Sequence, residues 1–185
     1  MTDCKLKTRM EPSFKREAFI LSGSYDDERS VFGCVSSDSC MYFWESQNMQ
    51  LNLKFLKSLN APCIQTGIWY LPKHKTWITA GKDNIIREWD IWMGSTADCL
   101  LASFEDHEEE IMDVCEILSP LAIATASFDR TIRIYNLQDK IPLGILKEHK
   151  TGVRSLNYSP FFGGNILSVG HESYINVWSP EGSIS

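Results

Sequence analysis

The chain has 185 residues, 43% apolar and 23% charged, which is the composition of a folded domain and excludes a disordered one. A formal net charge of -6 argues against nucleic acid as the partner, because holding phosphate backbones takes clustered Lys and Arg. No apolar run approaches the roughly 20 residues that span a bilayer. The opening MTDCKLKTRMEPSF lacks the apolar stretch of a secretory signal, so the expectation is an intracellular, cytoplasmic protein with no membrane partner.

In chain order, residues 1–15 form an N-terminal segment. A first unit, 16–58, contains CVSSDSCMYFWE from Cys34. A second, 64–105, contains TAGKDNIIREWD from Thr79, with candidate strands Ile64 to Leu71 and Asp98 to Phe104 on either side. The third, 107–147, contains TASFDRTIRIYN from Thr125 between candidate strands Ile111 to Leu118 and Ile141 to Lys147. A fourth, 149–179, contains SVGHESYINVWS from Ser168 and stops after that segment, leaving 180–185 as a tail.

The four segments align without gaps, and their aromatics Trp44, Trp89, Tyr135 and Trp178 recur at intervals of 45, 46 and 43 residues. Before each aromatic comes a turn acid (Asp38, Asp83, Asp129, Glu172), and before each acid a small residue (Ser36, Gly81, Ser127, Gly170). Small residues tolerate a sharp backbone, and an acid in the turn accepts main-chain N–H bonds, so each segment reads as strand, turn, strand. Three residues before each aromatic stands Met41, Ile86, Ile132 or Ile175, and one before it Phe43, Ile134 or Val177, with Glu88 the exception. Apolar positions on one face with an aromatic on the other describe a sheet buried on both sides. Four strands per repeat of this length predict an all-β fold of propeller blades, four in number, the last lacking its outer strand.

In these segments the chain resembles the WD40-repeat family. Trp89-Asp90 is a literal Trp-Asp pair, while Tyr135-Asn136, Trp178-Ser179 and Trp44-Glu45 are degenerate forms. The family's Gly-His pair is matched by Asp106-His107 and Glu148-His149. The resemblance implies a buried hydrogen-bonded tetrad in each blade: His107, Thr125, Asp129 and Tyr135 in the third, and His149, Ser168, Glu172 and Trp178 in the fourth. The second keeps Thr79, Asp83 and Trp89 without a His, and the first only Asp38 and Trp44, which implies weaker stapling there. It also implies a ring larger than four blades, with this chain a part of it. The alternative is closure by residues 5 to 10 as the missing outer strand. Open flanks would favour self-association through exposed blade edges.

No catalytic chemistry stands out. There is no HExxH or GxSxG, Gly81-Lys82 lacks the rest of a phosphate loop, and His74, His107, His149 and His171 have no metal-ligand spacing. The run Glu105 to Glu110 reads as a solvated loop carrying one tetrad His, and Lys73, His74 and Lys75 as a solvated turn. Cys4, Cys34, Cys40, Cys63, Cys99 and Cys115 form no CxxC pair and read as reduced, mostly buried thiols. The expectation is therefore no enzyme, no metal and no cofactor.

The resemblance implies protein partners docking on the narrow face of the ring, near Ser37, Lys82, Phe128 and His171 before the turn acids and Glu110 before an inner strand. The function expected is a scaffold for protein-protein interaction and complex assembly. Two alternatives are an architectural part of a cytoskeletal or ciliary assembly, and a piece of a larger enzyme or regulatory protein whose catalytic part lies elsewhere.

Overall fold

A computed structural model describes residues 18–46, 53–118 and 121–179. The proposed closing strand at residues 5 to 10, and Cys4, lie outside these. Blade 1 is the antiparallel sheet β1 (Ile20–Asp26), β2 (Val31–Ser36), β3 (Cys40–Ser46) and β4 (Leu53–Asn60). Blade 2 comprises β5 (Gln65–Leu71), β6 (Thr76–Gly81), β7 (Ile86–Trp89) and β8 (Leu100–Phe104), with the short helix α1 (Thr96–Cys99) before β8. Blade 3 is β9 (Ile111–Leu118), β10 (Leu121–Ser127), β11 (Ile132–Asn136) and β12 (Ile141–Leu146). Blade 4, among the described residues, has only β13 (Ser155–Ser159), β14 (Asn165–Val169) and β15 (Asn176–Trp178).

The repeat aromatics occupy one register. Trp44 faces Phe32, Trp89 faces Trp77, Tyr135 faces Ile123 and Trp178 faces Ile166 across the central hairpins. The turns follow from their acids. In blades 1 to 3 the residue after the acid takes a left-handed conformation, with φ of 64° at Ser39, 61° at Asn84 and 69° at Arg130. The carboxylate accepts the N–H two residues on: Cys40 to Asp38 at 3.1 Å, Ile85 to Asp83 at 3.3 Å and Thr131 to Asp129 at 2.9 Å. The small residue makes room for that carboxylate: a Cβ on Gly81 would lie 2.3 Å from an Asp83 oxygen, and one on Gly170 2.3 Å from a Glu172 oxygen.

Blades stack face to face, with β1, β5 and β9 in contact as successive inner strands and β13 beside β9. Val35, Met41 and Phe43 meet Ile68, Tyr70 and Trp77 between blades 1 and 2. Ile78, Ile86 and Phe104 meet Val114, Ile123 and Tyr135 between blades 2 and 3. Ala122, Ala124, Ala126 and Ile134 meet Leu156 and Ile166 between blades 3 and 4. Among the described residues no apolar cluster joins blade 4 to blade 1. On blade 4, Ile175 is 61% and Val177 60% exposed.

Two local expectations, at Asp98–Cys99 and at His74, need correction. Asp98 and Cys99 belong to α1, because Ser95 and Asp98 form a reciprocal capping box that winds the chain before β8. Glu88 is buried at 4% exposure, its carboxylate accepting from Thr76 Oγ1 at 2.9 Å, and burial raises its pKa. His74 is no solvated turn residue: its side chain is 8% exposed and its Nδ1 lies 2.7 Å from Glu116 of β9, bridging blade 2 to blade 3. Burial works against ionisation of Glu116, but bonds from His74 and the Lys73 N–H outweigh it and lower its pKa. Cys34 and Cys99 are buried thiols, the buried Cys40 thiol donates to Asn60 Oδ1 at 3.2 Å, and burial pushes Cys34 and Cys115 up to about 12.

Blades 1 and 2 fit tightly at Gly33, where a Cβ would stand 2.7 Å from the Trp77 ring of blade 2 and 2.8 Å from the Phe43 ring of its own blade. Both rings are fully buried and neither can yield. Gly33→Val should therefore cost about 1–3 kcal/mol by overpacking, read as a lower midpoint in urea unfolding.

Candidate partner-binding face

The loops that end each blade are fixed by a repeated main-chain bond. Ser37, Lys82 and Phe128, each just before a turn acid, donate N–H to the carbonyl just ahead of the inner strand: Phe19 at 3.0 Å, Ile64 at 2.9 Å and Glu110 at 2.9 Å. These bonds place the proposed partner-surface residues at equivalent points of three blades. Blade 4 differs, with the His171 N–H bonding Thr151 Oγ1 at 3.0 Å and the Arg154 N–H bonding the Val169 carbonyl at 2.8 Å.

Beneath this face lie the side-chain networks. In blade 4 all four expected residues meet: His149 lies 3.2 Å from Glu172 and 2.7 Å from Ser168 Oγ, which also accepts the Trp178 indole N–H at 2.8 Å. In blade 3, His107 joins Asp129 and Thr125, each at 2.7 Å. Tyr135 shares the register but not the network; its buried hydroxyl makes no bond to Thr125, and the ring packs tilted against Phe104 with centroids 4.5 Å apart. A tyrosine hydroxyl sits at the far tip of its ring and is carried past the threonine that an indole N–H reaches. In blade 2, Trp89 donates to Thr79 Oγ1 at 2.8 Å, as the resemblance implies. The histidine's place is filled from within the strand by Gln65, whose Oε1 accepts from Thr79 at 2.8 Å. Asp83 instead grips Arg87 through both oxygens, at 3.1 and 2.5 Å. In blade 1, Asp38 accepts from the Tyr42 hydroxyl at 2.7 Å, and Trp44 stacks beside Tyr42.

The acids are held ionised. Burial opposes this at Asp129, but bonds from His107 and Thr131 outweigh it and hold the carboxyl well below the usual range. At Glu172 burial is likewise outweighed, by the Thr151 N–H and His149 among others, leaving a pKa of about 2.

On the surface, Lys82, Glu110 and His171 are exposed and Ser37 and Phe128 half-buried. Ser37 is tied down, its Oγ accepting the Phe19 N–H at 3.0 Å. Phe128 lies flat over Gly152, where a Cβ would stand 2.3 Å from its ring. Arg154 lies over Phe128, its guanidinium carbon 5.1 Å from the ring centroid, and its Nε donates to His171 Nε2 at 2.6 Å. Phe128, Arg154 and His171 thus form one patch across blades 3 and 4. Arg154 was not singled out from sequence, although it immediately precedes β13 as Glu110 precedes β9. Among the described residues no cluster of three or more His, Cys, Asp and Glu has metal-binding geometry.

Four-stranded blades with small-residue, acid and aromatic positions in fixed register define a β-propeller repeat protein. One of the repeats is of the WD40 type: residues 98–136 match the family described as "WD domain, G-beta repeat". That match begins in α1 and ends in β11, so the sequence repeat is offset by one strand from the structural blade. Among curated proteins the chain is similar to protein transport protein sec13 of Aspergillus fumigatus, 31% identical over 113 residues, 57% of this chain and 36% of that protein. Those of Aspergillus clavatus and Aspergillus oryzae are each 30% identical over 113 residues, covering 57% of this chain and 38% of theirs. The chain thus matches little more than a third of the length of these relatives.

Two tests address the networks. Ser168→Ala leaves both His149 Nε2 and the Trp178 N–H without their shared partner, and should cost about 1–3 kcal/mol in urea unfolding. The second concerns pH. The folded pKa of Glu172 lies below the roughly 4.3 of an unfolded Glu, so its contribution is complete above that pH and is lost as pH falls toward about 2. The urea midpoint of the wild type should drop across this window more steeply than that of Glu172→Gln.

Proposed function

We propose that the chain is a non-catalytic WD40 scaffold that works inside the cell by holding protein partners on its narrow face, with the Phe128, Arg154 and His171 patch as the principal contact. The observation that carries this reading is the placement of a half-buried aromatic under an exposed guanidinium, on loops whose main chain is pinned by hydrogen bonds. Aromatic and Arg side chains dominate protein-protein hot spots, and both lose little freedom on binding when their loops are already fixed. Glu110 of blade 3, Lys82 of blade 2 and Ser37 of blade 1 continue the same face. Similarity to sec13 proteins, which are protein transport proteins by name, supports assembly of a complex that serves protein transport. Exposed Ile175 and Val177 on the open flank of blade 4 support a further association there, with another chain or another copy.

The test is affinity capture from cells that make the protein, comparing the wild type with Phe128→Ala/Arg154→Ala and with Trp92→Ala, which removes an exposed aromatic from the loop after β7. We expect partners captured by the wild type and the Trp92 variant to be lost from the double variant, with its thermal unfolding still cooperative. Equal capture by all three forms refutes the patch, and unfolding of Phe128→Ala alone would assign Phe128 to the core.

A further inference from the structure

Two residues before each repeat aromatic, the third strand carries Tyr42, Arg87, Arg133 or Asn176, each paired in register with the second strand. In blades 1 and 2 that side chain bonds the turn acid, Tyr42 to Asp38 and Arg87 to Asp83. In blades 3 and 4 a histidine has taken the acid, and the residue at this position is left over. Asp129 already serves His107, Thr131 N–H and Oγ1, and the Glu108 N–H. Arg133 is left with a buried Nε lacking any partner, and its nearest carboxylate is Asp106 at 4.0 Å.

The same guanidinium lines a cleft of about 410 Å³ with Arg130, Lys147, Ile145, Glu108 and Asp129. Three cations stand there against two carboxylates, one of which, Asp129, already has its oxygens taken by donors within the blade. We propose that this cleft binds a carboxylate side chain, Asp or Glu, presented by a partner protein, which grips Arg133 as Asp83 grips Arg87 within blade 2. An Arg fork takes a planar carboxylate through two parallel bonds, and such charge-assisted pairs are the stronger class of hydrogen bond. The neighbouring acids Glu105, Asp106, Glu108, Glu109 and Glu110 repel a polyanionic run or a phosphate dianion, so the ligand is a single acidic residue among neutral ones. The cleft shares no lining residue with the Phe128, Arg154 and His171 patch, and its failure leaves the narrow-face reading standing.

The experiment is an NMR titration of the full chain, following the Arg Nε–H resonance that disappears in Arg133→Gln. The probes are the capped tripeptides Ala-Glu-Ala, Ala-Gln-Ala and Ala-phosphoserine-Ala. We expect a saturable shift with the Glu peptide and none with the Gln peptide. Main-chain shifts around the cleft should report binding about tenfold weaker in Arg133→Gln and about threefold weaker in Arg130→Gln or Lys147→Gln. Asp106→Asn, which removes the competing carboxylate, should bind about twofold more tightly, and this arm stands even if Arg133→Gln fails to fold. No saturable shift with the Glu peptide, an equal shift with the Gln peptide, or no weakening in the Arg130 and Lys147 variants overturns the proposal. Tighter binding of the phosphoserine peptide at the same resonance overturns its carboxylate assignment in favour of a phosphorylated segment.

Discussion

A four-stranded sheet with apolar side chains on both faces must be covered twice, and every other property of this chain follows from that burial. Blade 2 shows the condition met: Trp77 turns to Phe43 and Tyr70 on one side, at centroid distances of 5.2 and 5.1 Å, while Ile78 and Ile86 face blade 3 on the other. Fully burying a side chain of this size contributes about 1.5–3 kcal/mol, and an aromatic pair about 0.5–1.5 kcal/mol more. The faces are matched in volume. Blade 3 presents three alanines to blade 4, which fills the space with Leu156 and Ile166, so neighbouring blades cannot be exchanged without leaving gaps or clashes.

Burial on both faces leaves the loop ends as the surface free to vary, and there a second constraint operates. Each turn holds one carboxylate with a limited number of acceptor sites, and the residues around it compete for them. Where a histidine arrives from the preceding loop, as in blades 3 and 4, the acid ties that loop to the hairpin. Where none arrives, as in blades 1 and 2, the acid is taken by the third strand through Tyr42 or Arg87. Loss of the histidine therefore does not orphan the acid; it changes which element the acid secures. Among the described residues, Arg133 Nε and Asn176 Nδ2 are the buried donors at this position left without a bond by the histidine arrangement.

Much of this was legible in the sequence because strand, turn and strand keep a fixed register, so an aromatic, an acid and a small residue recur at the same offsets. The unread parts are those where the same role is filled from a different place. Gln65 lies 14 residues before Thr79, whereas His107 and His149 lie 18 and 19 before their partners, because Gln65 reaches across from the inner strand itself. Tyr135 fits the aromatic pattern by size, yet the position of its donor atom separates it from Trp178. Glu88 broke the apolar alternation, and the structure keeps it buried by giving it the Thr76 hydroxyl. Arg154 and the Ser95 capping box follow patterns visible in the chain, the residue before an inner strand and a Ser three residues ahead of an acid.

The two constraints together account for a surface suited to binding. A loop that contributes to recognition has to hold its shape while leaving side chains free, and the turn acids satisfy both demands because they bond main-chain N–H groups and buried histidines. Glu172 Oε1 takes the N–H groups of both Lys150 and Thr151, each at 2.9 Å, and those residues lead directly to Gly152 under the Phe128 ring. With its floor fixed, Phe128 cannot sink inward, and Arg154 is held above it by His171. On the proposed reading the patch is ordered before a partner arrives, and the side-chain entropy that a flexible loop would lose on association is already spent in folding.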